Sequence, residues 1–125
     1  MSALSIELED GKMSFRPGET LHGVASWLLE ESVDTLEVRL LWFTRGKGTQ
    51  DVEVVDRRTF RSPALDGHDA FSFDLPAGPY SFSGRLISLI WALELVTPKG
   101  ANSYRVEFVL SPFESEIVLG SAEES

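Results

Sequence analysis

The chain has 125 residues, with 20 Asp and Glu against 11 Lys and Arg for a formal charge of −9, and no cysteine. That length predicts one domain, which buries about two-thirds of its unfolded surface. Without cysteine there is no disulfide framework, no thiolate-bound zinc and no thiol nucleophile, and the negative field repels nucleic acid and anionic lipid.

The pattern is β nearly throughout. Residues 4–8 and 12–15 read as short strands, and Asp10-Gly11 between them suits a tight hairpin. Pro17-Gly18 suits the centre of a type II turn. Residues 20–29 place Leu21, Gly23, Ala25, Trp27 and Leu29 on one side. Residues 36–43 place Leu36, Val38, Leu40 and Trp42 on one parity and Glu37 and Arg39 on the other. Leu41 and Phe43 make the far end of that strand apolar on both sides. Gly46-Lys47-Gly48 is a loop, 51–61 a strand, and Asp66-Gly67-His68-Asp69 a further loop. Residues 70–75 alternate, with Phe71, Phe73 and Leu75 inward. Pro76-Ala77-Gly78-Pro79 stops that strand, since neither proline offers an N–H.

Residues 86–96 form the longest apolar stretch, and Ile87, Leu89, Trp91, Leu93 and Leu95 share one face. Residues 104–110 alternate through Tyr104, Val106, Phe108 and Leu110, and 114–119 form a weaker strand. Seven or eight short strands without a helix predict an all-β, antiparallel two-sheet sandwich of immunoglobulin-like type. It occupies residues 1–119 as a single domain, followed by a disordered acidic tail at 120–125. With no disulfide available, Trp27, Trp42 and Trp91 are its largest core groups.

The segment Phe71 to Val96 carries a family resemblance. A strand ends in Leu75-Pro76, a proline-containing link leads into Tyr80-Ser81-Phe82-Ser83-Gly84, and a strand with an aromatic residue, Trp91, follows. Near the start, Leu4 to Glu9 and then Phe15-Arg16-Pro17-Gly18-Glu19-Thr20-Leu21-His22-Gly23 are similar to an opening hairpin with a Pro-Gly-Glu turn. In this order, over residues 4 to about 111, the pieces resemble the arrestin-like domain. That group includes the visual and β-arrestins, the arrestin-fold subunit of retromer and a bacterial sporulation-control group. The resemblance implies a non-catalytic protein-binding scaffold. It also implies two sandwiches in tandem, whereas this chain has room for one. The group's phosphate sensor needs paired lysines in the opening strand, and residues 4–15 offer only Lys12.

Six of the eleven basic residues lie between 39 and 61: Arg39, Arg45, Lys47, Arg57, Arg58 and Arg61. If the two strands there form a hairpin, Arg39, Arg45, Arg57, Arg58 and Arg61 are candidates for an anionic partner, with Arg57 and Arg61 on one face. The plainer reading is a wet strand face with cross-strand ion pairs. Leu28, Leu41, Phe43, Val55 and Val109 have parities opposite their strands' core residues and are candidates for an outer apolar face.

Other chemistry fails on residue type. Asp66, His68 and Asp69 in one loop, or Glu30, Glu31 and Asp34 in another, match no metal-ligand spacing. Ser81 lacks the first glycine of a nucleophile elbow and no helix follows it. Glu94 sits opposite the core face, where an ion-paired side chain is expected. No phosphate loop or dinucleotide fingerprint is present. The expectation is therefore no catalytic residue, no metal and no cofactor. The partner is an unspecified protein, bound at a sheet edge or an outer face. The alternative is a homo-oligomeric structural domain, such as a homodimer, whose self-association replaces the second sandwich. No apolar run spans a membrane, and residues 1–11 lack the basic start and apolar block of a signal peptide, so a cytoplasmic location is expected.

Overall fold

The computed structural model describes residues 2–46, 48, 50–100, 102–113 and 117–118. In chain order the strands are β1 (Ala3–Leu8), β2 (Ser14–Phe15), β3 (Thr20–Leu28), β4 (Thr35–Gly46), β5 (Val52–Arg61), β6 (Asp66–Asp74), β7 (Phe82–Ser83), β8 (Ile87–Val96), β9 (Ser103–Leu110) and β10 (Ile117–Val118). One sheet has the order β1-β3-β6. The other runs β5-β4-β8 and then divides. β9 pairs with the Trp91–Val96 half of β8, while β7 pairs with Ser88 and Leu89. The long ladders are antiparallel, and the two-residue pairings of β2 with β9 and β10 with β7 are parallel. The expected two-sheet β-sandwich is the observed architecture.

Alternation builds the core. Leu36, Val38 and Leu40 of β4 and Trp91, Leu93 and Leu95 of β8 are fully buried, and they belong to one cluster with Leu21, Ala25, Phe71 and Phe73 from the smaller sheet. Two of the three tryptophans also satisfy their indole N–H groups. Trp27 Nε1 donates to the Ala64 carbonyl at 2.8 Å and Trp91 Nε1 to the Pro79 carbonyl at 2.7 Å. Trp42 Nε1 is buried with no partner among the described residues.

Between β3 and β6, aromatic rings lie over glycines. Gly23 pairs with Phe71 and Trp27 with Gly67. A Cβ at Gly23 would lie 2.6 Å from Phe71 Cζ, and one at Gly67 would lie 3.1 Å from the Trp27 indole. Trp27 then stacks on Phe60 of the other sheet, with centroids 5.5 Å apart and planes at 28°. The missing side chain at Gly67 is what lets this ring lie flat and reach across the sandwich.

The turns differ in detail from their sequence reading. Gly18 has φ 81° and the Glu19 N–H donates to the Arg16 carbonyl at 3.1 Å, as the type II turn requires. Asp10-Gly11 does turn, with both φ values positive, but it makes no β1–β2 hairpin. It belongs to a 3-10 turn at Glu9–Gly11, after which β2 joins β9 in the other sheet. The expected loop at Asp66-Gly67-His68-Asp69 is the first half of β6, paired with Ala25 to Leu28. Turn-forming side chains there are overridden by a complete ladder to β3. Of the expected strand at 114–119, only Ile117 and Val118 are described, and the tail 120–125 lies outside the described residues.

These contacts set two expectations for thermal unfolding. Leu93→Ala costs about 2–5 kcal/mol, because a fully buried site loses both transfer energy and packing. Gly67→Ala costs about 1–3 kcal/mol through overpacking against the Trp27 ring, and a melting temperature equal to wild type contradicts that role.

Candidate partner-binding face

The outward side of the larger sheet follows from register, since residues directly paired across strands share a face. Even-numbered residues of β4 enter the core, so Thr35, Glu37, Arg39, Leu41, Phe43 and Arg45 point outward. Their partners on β5 are Arg61, Thr59, Arg57, Val54 and Val52, and on β8 Val96, Glu94, Ala92, Ile90 and Ser88. On β9, Ser103, Arg105 and Glu107 complete the rows.

A β-bulge makes this assignment. Leu40 pairs with Asp56, but Leu41 pairs with Val54, so Val55 is the extra residue on β5. The skipped position flips the parity of β5. C-terminal to it, Arg57, Thr59 and Arg61 face out and Asp56, Arg58 and Phe60 face in. N-terminal to it, Val54 faces out and Glu53 faces in.

The five candidate arginines therefore do not converge. Arg39, Arg57 and Arg61 gather at one end of the outer face. Arg45 lies near its other end, about 20 Å from Arg39 by strand rise. Arg58 points to the opposite side, where its guanidinium lies 4.5 Å from the Phe73 ring centroid and 3.1 Å from Asp56. Its stem helps close the gap between the two sheets beside Phe60.

Ion pairing on the outer face is uneven. Arg45 Nη2 donates to Glu107 at 2.9 Å and Arg105 Nη2 to Glu94 at 3.2 Å. Arg39 Nε donates to Glu37 at 2.5 Å. Arg57, directly opposite Arg39, has no acidic partner for its guanidinium among the described residues, and neither has Arg61. Like charges directly opposed on a sheet are unfavourable. This edge therefore holds uncompensated positive charge on a chain that is strongly negative overall.

The candidate apolar residues are likewise divided. Leu41 and Phe43 are buried rather than exposed, in a second small cluster with Ala92, flanked by Val54 and Ile90. Arg45 and Arg105 lie over Phe43 at 5.4 and 4.7 Å from its centroid, so their stems roof the cluster. Val109 is half-buried and adjoins Arg45, Glu107 and Ile90 around a hollow of about 310 Å³. Val55 is 39% exposed at the bulge. Leu28 is 54% exposed but belongs to the smaller sheet, on the other side of the sandwich. The residue that sequence reasoning missed is Val52, 62% exposed on the outer face, which only the register places beside Phe43.

The remaining sites lack convergence. Asp66 and His68 share the outward parity of β6, while Asp69 takes the other, and the described residues contain no acidic or histidine group set to hold a metal. Ser81 is buried and occupied, its Oγ accepting from the Leu110 N–H at 2.9 Å and its own N–H donating to the Leu110 carbonyl at 2.8 Å.

No protein-family model matches the chain, and no curated protein matches its sequence. Among solved structures it is similar to Spo0M, a sporulation control protein from Bacillus subtilis, with a TM-score of 0.62 and 15% identity over 88% of this chain. The fold is the arrestin-like sandwich. The match covers 49% of Spo0M, so this chain spans about half the length of that protein. A β-glucosidase from Listeria innocua aligns with a TM-score of 0.44 over 16% of its length, which carries no argument about this chain. No helix among the described residues is long and apolar enough to cross a membrane.

The two roles of arginine on β5 separate by mutation. Arg58→Ala lowers stability by about 1 kcal/mol through loss of the ring contact and stem packing. Arg57→Ala leaves stability unchanged or slightly raised, because it relieves the opposition to Arg39. Paired thermal melts of the two variants check this, and equal losses overturn it.

Proposed function

We propose that this arrestin-like sandwich is a non-catalytic protein-binding module, a single domain over residues 1–119, that takes a partner at the open β5 edge of its larger sheet. The observation that carries the reading is the opposition of Arg39 to Arg57 of the edge strand, with the Arg57 and Arg61 guanidinium groups left without a carboxylate among the described residues. Folding alone gains nothing from that placement. A partner segment with carboxylates neutralises it, and charge-assisted bonds to guanidinium groups are the stronger kind.

The backbone supports the same surface. β5 is ten residues long and pairs only with β4 among the described strands, so its other side offers a row of N–H and C=O groups. An added strand satisfies these groups and draws specificity from alternate side chains. The arginines also discourage another copy's β5 from pairing there, since like charges would face each other. The expected scaffold role, with no substrate turned over, fits a surface that has open edges but no convergent acid, base or nucleophile among the described residues.

The test uses backbone chemistry. Successive residues of a strand direct their N–H groups to opposite sides, so of Arg58→Pro and Thr59→Pro one removes a ladder bond to β4 and the other only an outward N–H. The variant that keeps the wild-type circular dichroism and melting profile is then compared with wild type in affinity capture from the native cell. Its partners are expected to be lost or bound at least tenfold more weakly. Full retention of every partner overturns the reading.

A further inference from the structure

The two outer faces of the sandwich differ in charge. The larger sheet's outer face carries Arg39, Arg45, Arg57, Arg61 and Arg105 against Glu37, Glu94 and Glu107. On the smaller sheet the residues that share the outward parity include Glu7 on β1 and Asp66 and Asp74 on β6, with no lysine or arginine on any of its strands. Asp74 accepts a hydrogen bond from Thr20 at 2.9 Å. The Glu7 and Asp66 carboxylates have no ion-pair partner among the described residues, and neither have the Arg57 and Arg61 guanidinium groups on the other face.

We propose that copies of this chain stack head to tail, the arginine face of the larger sheet in one copy against the acidic face of the smaller sheet in the next. This goes beyond the edge reading: it draws on the same Arg57 and Arg61 but on the acidic face instead of the β5 backbone, so proline in β5 tests the edge reading and the Glu7 and Asp66 variants test this one.

Geometry permits both pairs at once. Arg57 and Arg61 lie four residues apart on one strand, about 13 Å. Glu7 and Asp66 are separated by two strands and four residues of register, which is about 16 Å. Long arginine side chains span the difference. Each face also brings exposed apolar groups, Val52 at 62% on one and Leu28 at 54% on the other, to the contact. The net charge of −9 on each copy opposes association, but at physiological salt the screening length is about 8 Å, so centre-to-centre repulsion is largely screened while facing pairs are not.

Because the two faces differ, the contact is heterologous and does not close on itself as a symmetric dimer does. Sedimentation at high protein concentration and physiological salt reads this directly. Wild type is expected to give an open, concentration-dependent series, with association about tenfold weaker in Arg57→Gln/Arg61→Gln and in Glu7→Gln/Asp66→Asn. An equimolar mixture of the two variants retains one intact face of each kind. It is expected to give mainly a 1:1 dimer, since each remaining face has lost its two unpaired charges. Circular dichroism confirms that each variant is folded. A wild type that stays monomeric, or stops at a dimer, overturns the proposal, as does a mixture no more associated than either variant alone.

Discussion

Removal of water from between β3–β6 and β4–β8 is the interaction on which the other features rest. The facing layers are aliphatic and aromatic, and none of the three tryptophans has a disulfide to support it. Trp27 shows how the layers are joined. It lies against the bare backbone of Gly67, fixes its indole N–H on Ala64, and presents its other side to Phe60. One ring thus connects a paired strand of the smaller sheet with the edge strand of the larger. Stacked aromatics contribute beyond their buried area, about 0.5–1.5 kcal/mol.

The same contact explains why β5 is amphipathic in an unusual way. β5 is the edge strand of the larger sheet, and its inward side chains meet β3 at Trp27 and β6 at Phe73. The inward positions of β5 cannot all be greasy there, because they border water. Phe60 stacks on Trp27, and Arg58 lays its guanidinium over Phe73 and near Asp56. An arginine that looks like a ligand-binding residue in the sequence is thereby a packing residue. Its neighbours Arg57 and Arg61 keep the outward positions and the free charge.

Much of the fold was legible because the strand period of two is strong wherever one face is dry. The inward sets of β3, β4, β8 and β9 follow from alternation, as does the outward, ion-paired Glu94, but Ile87 at the start of β8 and Tyr104 near the start of β9 are exposed and lie outside the core cluster. What stayed hidden was register. The bulge at Val55 reverses which side of β5 faces out, and no local propensity marks it. A run of Asp, Gly and His at 66–69 carries turn chemistry, and only the length of β3 opposite shows that it is paired. Leu41 and Phe43 lie on the outward side, as their parity in the sequence requires. Their burial depends on arginine stems from positions 45 and 105, and that distance in sequence is closed only by β8 and β9 lying beside β4.

Charge follows the same logic. A total of −9 describes a chain that should avoid anions everywhere, yet the sheet register collects five of the eleven basic residues on one face. Physiological salt screens a distributed net charge beyond about 8 Å but leaves close pairs effective. Recognition therefore depends on the local balance at Arg57 and Arg61 rather than on the sum. Glu37 takes Arg39, and the guanidinium groups of the two edge arginines have no carboxylate of their own among the described residues. The bond within β4 thus places the free positive charge of this end on Arg57 and Arg61, at the sheet's edge.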